Sequence, residues 1–304
     1  MRPRTALAAF GLSCLLAACG GGDDSPRPRL AGVILDGTLD ETSGLAASPA
    51  HRDTLWLLQD GGNGPYLHAI SKRGSRIATF RVDRVRNTDW EDLDAFAWRD
   101  DHWLLIADTG DNGGLRRTLQ LHVVREPEQL VDGGTLRPAW SIAFRWPDGP
   151  RDCEAVAVDP NANEVLLISK KRNPAQLFSL PLRPSRNVAT ARLLGTLAPP
   201  IDETTSTSTS SKADSRRDAL GRQVTSAGLS PDGRTLAVLT YDRLLLYPRN
   251  EGESWAHAVK RAPRTQPLPW LHQAEGLAWM PDGKGLIATG EFSPAPLVWL
   301  PAQP

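Results

Sequence analysis

Along most of this chain apolar residues come in short alternating runs, and the runs recur in a fixed order. Five times a polar residue, one spacer and a second polar residue precede an apolar stretch: Glu41-Thr-Ser43, Asp89-Trp-Glu91, Asp152-Cys-Glu154, Gln223-Val-Thr225 and Gln273-Ala-Glu275. Four of the stretches end on a proline (Pro49, Pro160, Pro231, Pro281), three of them in turns of the Asp-Gly kind or related to it, which join antiparallel strands. Second strands follow at Leu55, Trp103, Val165, Leu236 and Leu286, and third strands at Tyr66, Leu119, Leu177, Leu244 and Leu297. Fourth strands are predicted at Arg76–Val82, Trp140–Trp146 and Ala191–Leu197, with a weak one at His257–Arg261. The last unit stops after its third strand, while a spare strand, Leu30–Leu35, precedes the first unit. Four-strand units repeated about an axis make a β-propeller. The expected fold is all-β, a five-bladed β-propeller over residues 30–304 closed by the N-terminal strand. Six blades is the alternative, because the stretch from Ala198 to Gln223 is long; its Thr/Ser-rich core, residues 203–212, reads instead as a loop or lid.

Composition changes this picture little. The hydrophobic fraction of 40% supports a real core, and a net charge of zero argues against nucleic acid as a partner. The N-terminus changes it more. Arg2 and Arg4 precede a short apolar run that ends Leu16-Ala17-Ala18-Cys19. This resembles the lipobox of bacterial lipoproteins, so residues 1–18 are expected to be a signal peptide, Cys19 the lipidated residue, and residues 19–29 a flexible tether. The expected location is the bacterial cell envelope, lipid-anchored at the outer membrane and facing the periplasm. Cys14 leaves with the signal peptide, so Cys153 has no partner for a disulfide and is expected to be a buried, inert thiol.

In a propeller the first strand of each unit lines the channel and the second returns beside it. The start of strand one and the end of strand two therefore meet at one mouth. Residues two apart on a strand share a face, so the paired positions predict two stacked rings. Sixteen or seventeen residues after each second member comes another polar side chain: Asp60, Asp108, Lys170, Tyr241 and Glu291. The candidate ligand-binding set is Glu41, Ser43, Asp60, Asp89, Glu91, Asp108, Asp152, Glu154, Lys170, Thr225, Tyr241, Glu275 and Glu291. So many carboxylates at one mouth must be protonated, paired or metal-bound. Three roles stay open: capping of strand starts, coordination of Ca²⁺ by Glu91, Glu154 and Glu275, and acid–base catalysis by Glu91 and Glu154 beside Lys170. The uneven ring, with neutral Ser43 and Thr225, places the site off the axis, toward Glu91 and Glu154. No Gly-x-Ser-x-Gly elbow or zinc-type His spacing occurs, and only His272 is predicted near the mouth. Trp90, between two acids, reads as core or as a sugar-stacking face.

Glu41-Thr-Ser-Gly-Leu, Gln59-Asp-Gly-Gly-Asn, Asp89-Trp-Glu-Asp, Gly110-Asp-Asn, Asp152-Cys-Glu-Ala and Glu275-Gly-Leu together resemble a family of secreted bacterial β-propeller proteins. That family is distantly similar to phytase-like esterase and gluconolactonase/regucalcin-like propellers. The resemblance implies channel acids that hold Ca²⁺ in some members. It also implies an acid in the fourth unit where this chain has Gly228, and an Arg where it has Leu239. The functional expectation is a binding protein for a small ligand or Ca²⁺. The alternatives are a Ca²⁺-dependent hydrolase of phosphoester, lactone or glycoside bonds, and a scaffold for protein partners.

Overall fold

The computed structural model describes residues 27–201, 219–268, 271 and 273–302. The expected signal peptide, Cys19, the Thr/Ser-rich stretch and His272 lie outside the described residues. Five antiparallel sheets are arranged as a five-bladed β-propeller. Blade one is β2 (Thr42–Ala47), β3 (Thr54–Gln59), β4 (Tyr66–Ser71) and β5 (Arg76–Val82). Blade two is β6 (Trp90–Trp98), β7 (Asp101–Asp108), β8 (Leu119–Arg125) and β10 (Pro138–Arg145). Blade three is β11 (Cys153–Asp159), β12 (Glu164–Ser169), β13 (Gln176–Pro181) and β15 (Arg192–Thr196). Blade four is β16 (Val224–Leu229), β17 (Thr235–Thr240), β18 (Arg243–Pro248) and β19 (Arg264–Pro267). Blade five is β20 (Ala274–Trp279), β21 (Gly285–Gly290) and β22 (Ala295–Pro301), completed by β1 (Arg29–Ile34).

The expected closure is present: β1 pairs antiparallel with β22 from Arg29↔Trp299 to Ile34↔Ala295. Two short strands, β9 (Gly134–Leu136) and β14 (Ala189–Thr190), add in parallel to the outer edges of blades one and two. They cover edges that would otherwise offer unpaired backbone groups. One expected strand is corrected. His257–Arg261 belongs to a short helix, α1 (Trp255–Ala258), and the turn after it, and the fourth strand of blade four is β19. Trp255 drives this, since its indole is buried between blades three and four.

The core lies between blades. Five clusters of buried apolar side chains sit one at each junction, for example Leu105, Val156 and Phe178 between blades two and three. Trp90 belongs to one of them and is fully buried, with its indole N–H on the Arg86 carbonyl, so it is core and not a stacking face. Cys153 is likewise buried, its thiol pushed up by burial.

Each inner strand carries a register shift at the same place, between Thr42 and Gly44, Trp90 and Asp92, Cys153 and Ala155, Val224 and Ser226, and Ala274 and Gly276. The extra residue in each β-bulge is the second polar residue of the repeat: Ser43, Glu91, Glu154, Thr225 or Glu275. A bulge re-aims side chains, so after Glu91 the next residue, Asp92, also turns inward. Its carboxylate accepts from Leu93 N and Ser226 Oγ (both 2.9 Å), Val156 N (2.8 Å) and Ala227 N (3.3 Å). It joins blades two, three and four and plugs the channel. The equivalent positions elsewhere are Gly44, Ala155, Ser226 and Gly276, which leave the room it fills. Gly44 is there by necessity. A Cβ on it would come within 2.7 Å of Leu93 N and 2.9 Å of the Asp92 carbonyl carbon, both rigid backbone.

Candidate functional site

The bulges deliver three glutamates to one mouth of the channel. Glu91, Glu154 and Glu275, with Ser43, Glu41, Asp60, Lys170, Tyr241, Gln273 and Glu291, line a cavity of about 180 Å³. Thr42 and Asn112 complete its wall. Asp89 adjoins this cavity beside Asp60 and Glu91, and Asp152 adjoins it beside Glu91 and Glu154. Thr225 is buried below the surface of the mouth, where its hydroxyl donates to the Ala274 carbonyl at 2.6 Å. Ser43 makes the matching bond to the Glu91 carbonyl at 2.6 Å, and Thr109 to that of Cys153 at 2.7 Å. The Ser43 and Thr225 hydroxyls pin neighbouring inner strands together at the mouth, and Thr109 ties the loop after β7 to β11. Glu41 and Gln273, the first members of their polar pairs, hold left-handed backbone, φ +53° and +46°. Their side chains bond Asn63 and Glu291 respectively.

Asp108 is corrected. Thr42 pairs with Gln59, but Trp90 pairs with Asp108, so the β6–β7 hairpin is one residue longer than the β2–β3 hairpin. The N–H groups of Asp60, Lys170 and Glu291 bond to the carbonyls of Glu41, Asp152 and Gln273, and in blade two the same bond to Asp89 is made by Gly110. Asp108 is absent from the cavity wall; its carboxylate is held by Arg116 at 2.6 Å. A Cβ on Gly110 would collide with Glu91 Oε1 and Asp89 Oδ2, so glycine there leaves space for both carboxylates. Gly110→Ala is expected to lower stability by about 1–3 kcal/mol in urea melts. Gly37→Ala, where a Cβ would meet nothing within 4 Å, should leave the midpoint unchanged.

The mouth divides electrostatically into two halves. In one, Lys170 is ion-paired with Glu154 and lies 5.3 Å from the Tyr241 ring centroid. Lys171 reaches Asp152 at 3.0 Å and Asn112 Oδ1 at 2.6 Å, while the other Asp152 oxygen accepts from Asp111 N. In the other half, Asp60, Asp89 and Glu91 have no ion-pair partner among the described residues. One oxygen from each of these three lies within 4.8 Å of the others, and the same holds for Glu91, Asp152 and Glu154. Burial raises the pKa of Glu91 well above its ordinary value, and the charges of Glu154, Asp60 and Asp89 add to this. Burial also lifts Glu154 to about 8 against the pull of Lys170, and Glu275 to about 7. Asp60, Asp89 and Glu291 are raised for the same first reason. Burial alone would lower Lys170, but Glu154 and Glu275 outweigh it and raise its pKa.

These features define a five-bladed β-propeller with an acidic axial cavity. No protein-family model matches the chain, and no curated protein matches it in sequence. Among solved structures it is similar to a gluconolactonase from Xanthomonas campestris, at 13% identity over 86% of this chain and 72% of that one, with a TM-score of 0.45. It is also similar to the PQQ-bound form of an aldose sugar dehydrogenase from Streptomyces coelicolor, at 9% identity over 90% and 97% of the two chains, with a TM-score of 0.48. At these values neither likeness transfers a ligand or a reaction to this chain.

Proposed function

We propose that the protein binds a divalent cation, Ca²⁺, at Asp60, Asp89 and Glu91, and a small polar ligand in the cavity beside it. The observation that carries this reading is the division of the mouth. Lysines pair with Glu154 and Asp152, whereas the three converging carboxylates on the other side have no ion-pair partner among the described residues. An all-oxygen, carboxylate-rich donor set suits a hard ion. Glu91 is common to this set and to the one read from the sequence, while Glu154 is occupied by Lys170. When bound, the ion would supply positive charge to orient an oxygen-bearing ligand, and Lys170, Tyr241 and Glu275 would bind its other end.

The test is a thermal melt of the metal-stripped protein with and without Ca²⁺, together with a calorimetric titration. A free-ion concentration a hundredfold above Kd adds about 2.7 kcal/mol of stability, a shift of several degrees. Glu91→Gln should remove the shift and, by relieving repulsion, stabilise the metal-free protein. No bound ion and an unchanged melt would overturn the reading.

A second reading, hydrolysis of a phosphoester, lactone or glycoside, is favoured by one observation. Glu275, near 7, and Glu154, near 8, are placed to exchange protons around neutral pH. Glu275→Gln would then abolish turnover and keep the Ca²⁺ response. We further propose that the propeller is tethered through lipidated Cys19 to the bacterial envelope, as its N-terminal sequence suggests; release of the Cys19→Ser protein from the membrane fraction tests this.

A further inference from the structure

A second cavity, of about 350 Å³, opens at the opposite end of the channel, and its wall shares no residue with that of the acidic mouth. Fully buried Asp92 and Leu93 lie between the two along β6: Glu91 faces one cavity and Asp94 the other. Ala46, Gly228 and Ala278 hold the positions equivalent to Asp94 in three other blades. Three small residues and one acid thus form the floor of a hollow. Its rim is built from the prolines that end the repeated apolar stretches, Pro49, Pro160, Pro231 and Pro281, together with Phe96 and Trp279. In the sequence these prolines only counted blades; in space they make the apolar part of a rim that Asn161 and Ser230 also line.

The acid is fixed in orientation. Asp94 Oδ1 accepts from Ala95 N at 2.8 Å and Oδ2 from Val158 N at 2.6 Å, across the blade junction. Each oxygen keeps a further lone pair. Among the described residues Asp94 has no ion-pair partner, and no Lys or Arg lines the cavity; the other titratable group on the wall is His102. Burial pushes the Asp94 carboxyl up to about 7, a cost that a bound cation would relieve. The volume falls within the range of small-molecule sites, which pair an apolar wall with a few placed polar groups.

We propose that this cavity binds a small organic amine, its ammonium on Asp94 and its apolar body against the proline and aromatic rim. An anion would meet a carboxylate that has no ion-pair partner among the described residues, and a metal ion would find a single acidic ligand on the wall.

Titration calorimetry with phenethylamine, 2-phenylethanol and 3-phenylpropanoate separates charge from shape, with EDTA present throughout. The amine should bind at least about tenfold more tightly than the alcohol, the value of one partly buried charge contact, and the carboxylate should not bind. Asp94→Asn should remove the amine's advantage. If that variant does not fold, Ala278→Leu, which fills the hollow, should abolish binding of the amine. Glu91→Gln, which acts on the acidic mouth, should leave the affinity for the amine unchanged. Equal affinity for amine and alcohol, no amine binding, or amine binding that survives Ala278→Leu and falls in Glu91→Gln would overturn the assignment.

Discussion

Asp92→Ala is expected to destabilise the protein by about 3–5 kcal/mol, read as a lower urea midpoint and a lower melting temperature. The change removes four hydrogen bonds and leaves three backbone N–H groups, of Leu93, Val156 and Ala227, in a dry interior. Each such orphan costs about 1–3 kcal/mol. The void adds to this, because Gly44 and Gly276 have no side chains to collapse into it. Asp92→Asn should cost less. Its amide oxygen can still accept from Leu93 N and Ser226 Oγ, but its NH₂ would face the N–H groups of Val156 and Ala227. Equal costs for the two substitutions would mean that filling the channel, and not hydrogen bonding, is what Asp92 contributes. A stability unchanged by Asp92→Ala would remove it from the account of how the blades are joined.

The second large effect is on pH. Stability of the metal-free protein is expected to fall by about 2–4 kcal/mol as pH rises from about 6.5 to 8.5. The sign follows from proton counts. In the unfolded chain Glu154 and Glu275 lose their protons near the ordinary 4.5; in the folded chain they keep them to about 8 and about 7. Between those values the native state binds more protons, and stability drops by about 1.4 kcal/mol per pH unit for each proton retained. Glu91, raised well above its ordinary value, acts in the same direction. Lys170 does not contribute to the slope: its folded pKa lies above the ordinary 10.5, so it stays charged in both the folded and the unfolded chain throughout this window. Below about 6.5 the slope is opposed by buried His68, pushed down to about 4, which favours the folded state as pH rises from 4 to 6.5. The profile should therefore fall from about pH 4.5 upward, with His68 offsetting only part of what Glu154 and Glu275 lose below 6.5. Saturating Ca²⁺ should flatten the alkaline limb, since an ion holds the carboxylates charged. A flat profile without Ca²⁺ would show that the carboxyls of the mouth ionise freely.

Much of the fold was legible because the repeat marks strand starts. Glu41-Thr-Ser43 and its four counterparts begin inner strands in all five blades, and the surplus strand near Leu30 closes the last one. What escaped was hydrogen-bond register. A bulge leaves the order of polar and apolar residues unchanged, so the expectation of two stacked rings at i and i+2 did not foresee Asp92 turning inward behind Glu91. A signal was present: Asp92 and Asp94 are two acids at alternate positions of an inner strand whose counterparts are Gly, Ala and Ser. Counting along the chain also misplaced Asp108, because the β6–β7 hairpin is one residue longer than the β2–β3 hairpin. The weak fourth strand failed for a different reason. His257–Arg261 has little strand pattern of its own, and burial of Trp255 against blade three outweighs it. Within the candidate site, the charges could be named from the sequence, but their pairing could not. That Lys170 takes Glu154 and Lys171 takes Asp152, leaving Asp60, Asp89 and Glu91 together, depends on the paths of loops between blades.

The clasp formed by β1 also has a mechanical side. The chain enters β1 at Arg29, on the face opposite the acidic mouth, and runs along the strand toward the mouth to Ile34. A pull arriving through the preceding residues from that side acts parallel to the strand. It loads the rungs from Arg29↔Trp299 to Ile34↔Ala295 together, in shear, instead of peeling them one at a time. The seam that shuts the ring is thus oriented to resist tension applied to the chain at Arg29, on the face opposite the acidic mouth.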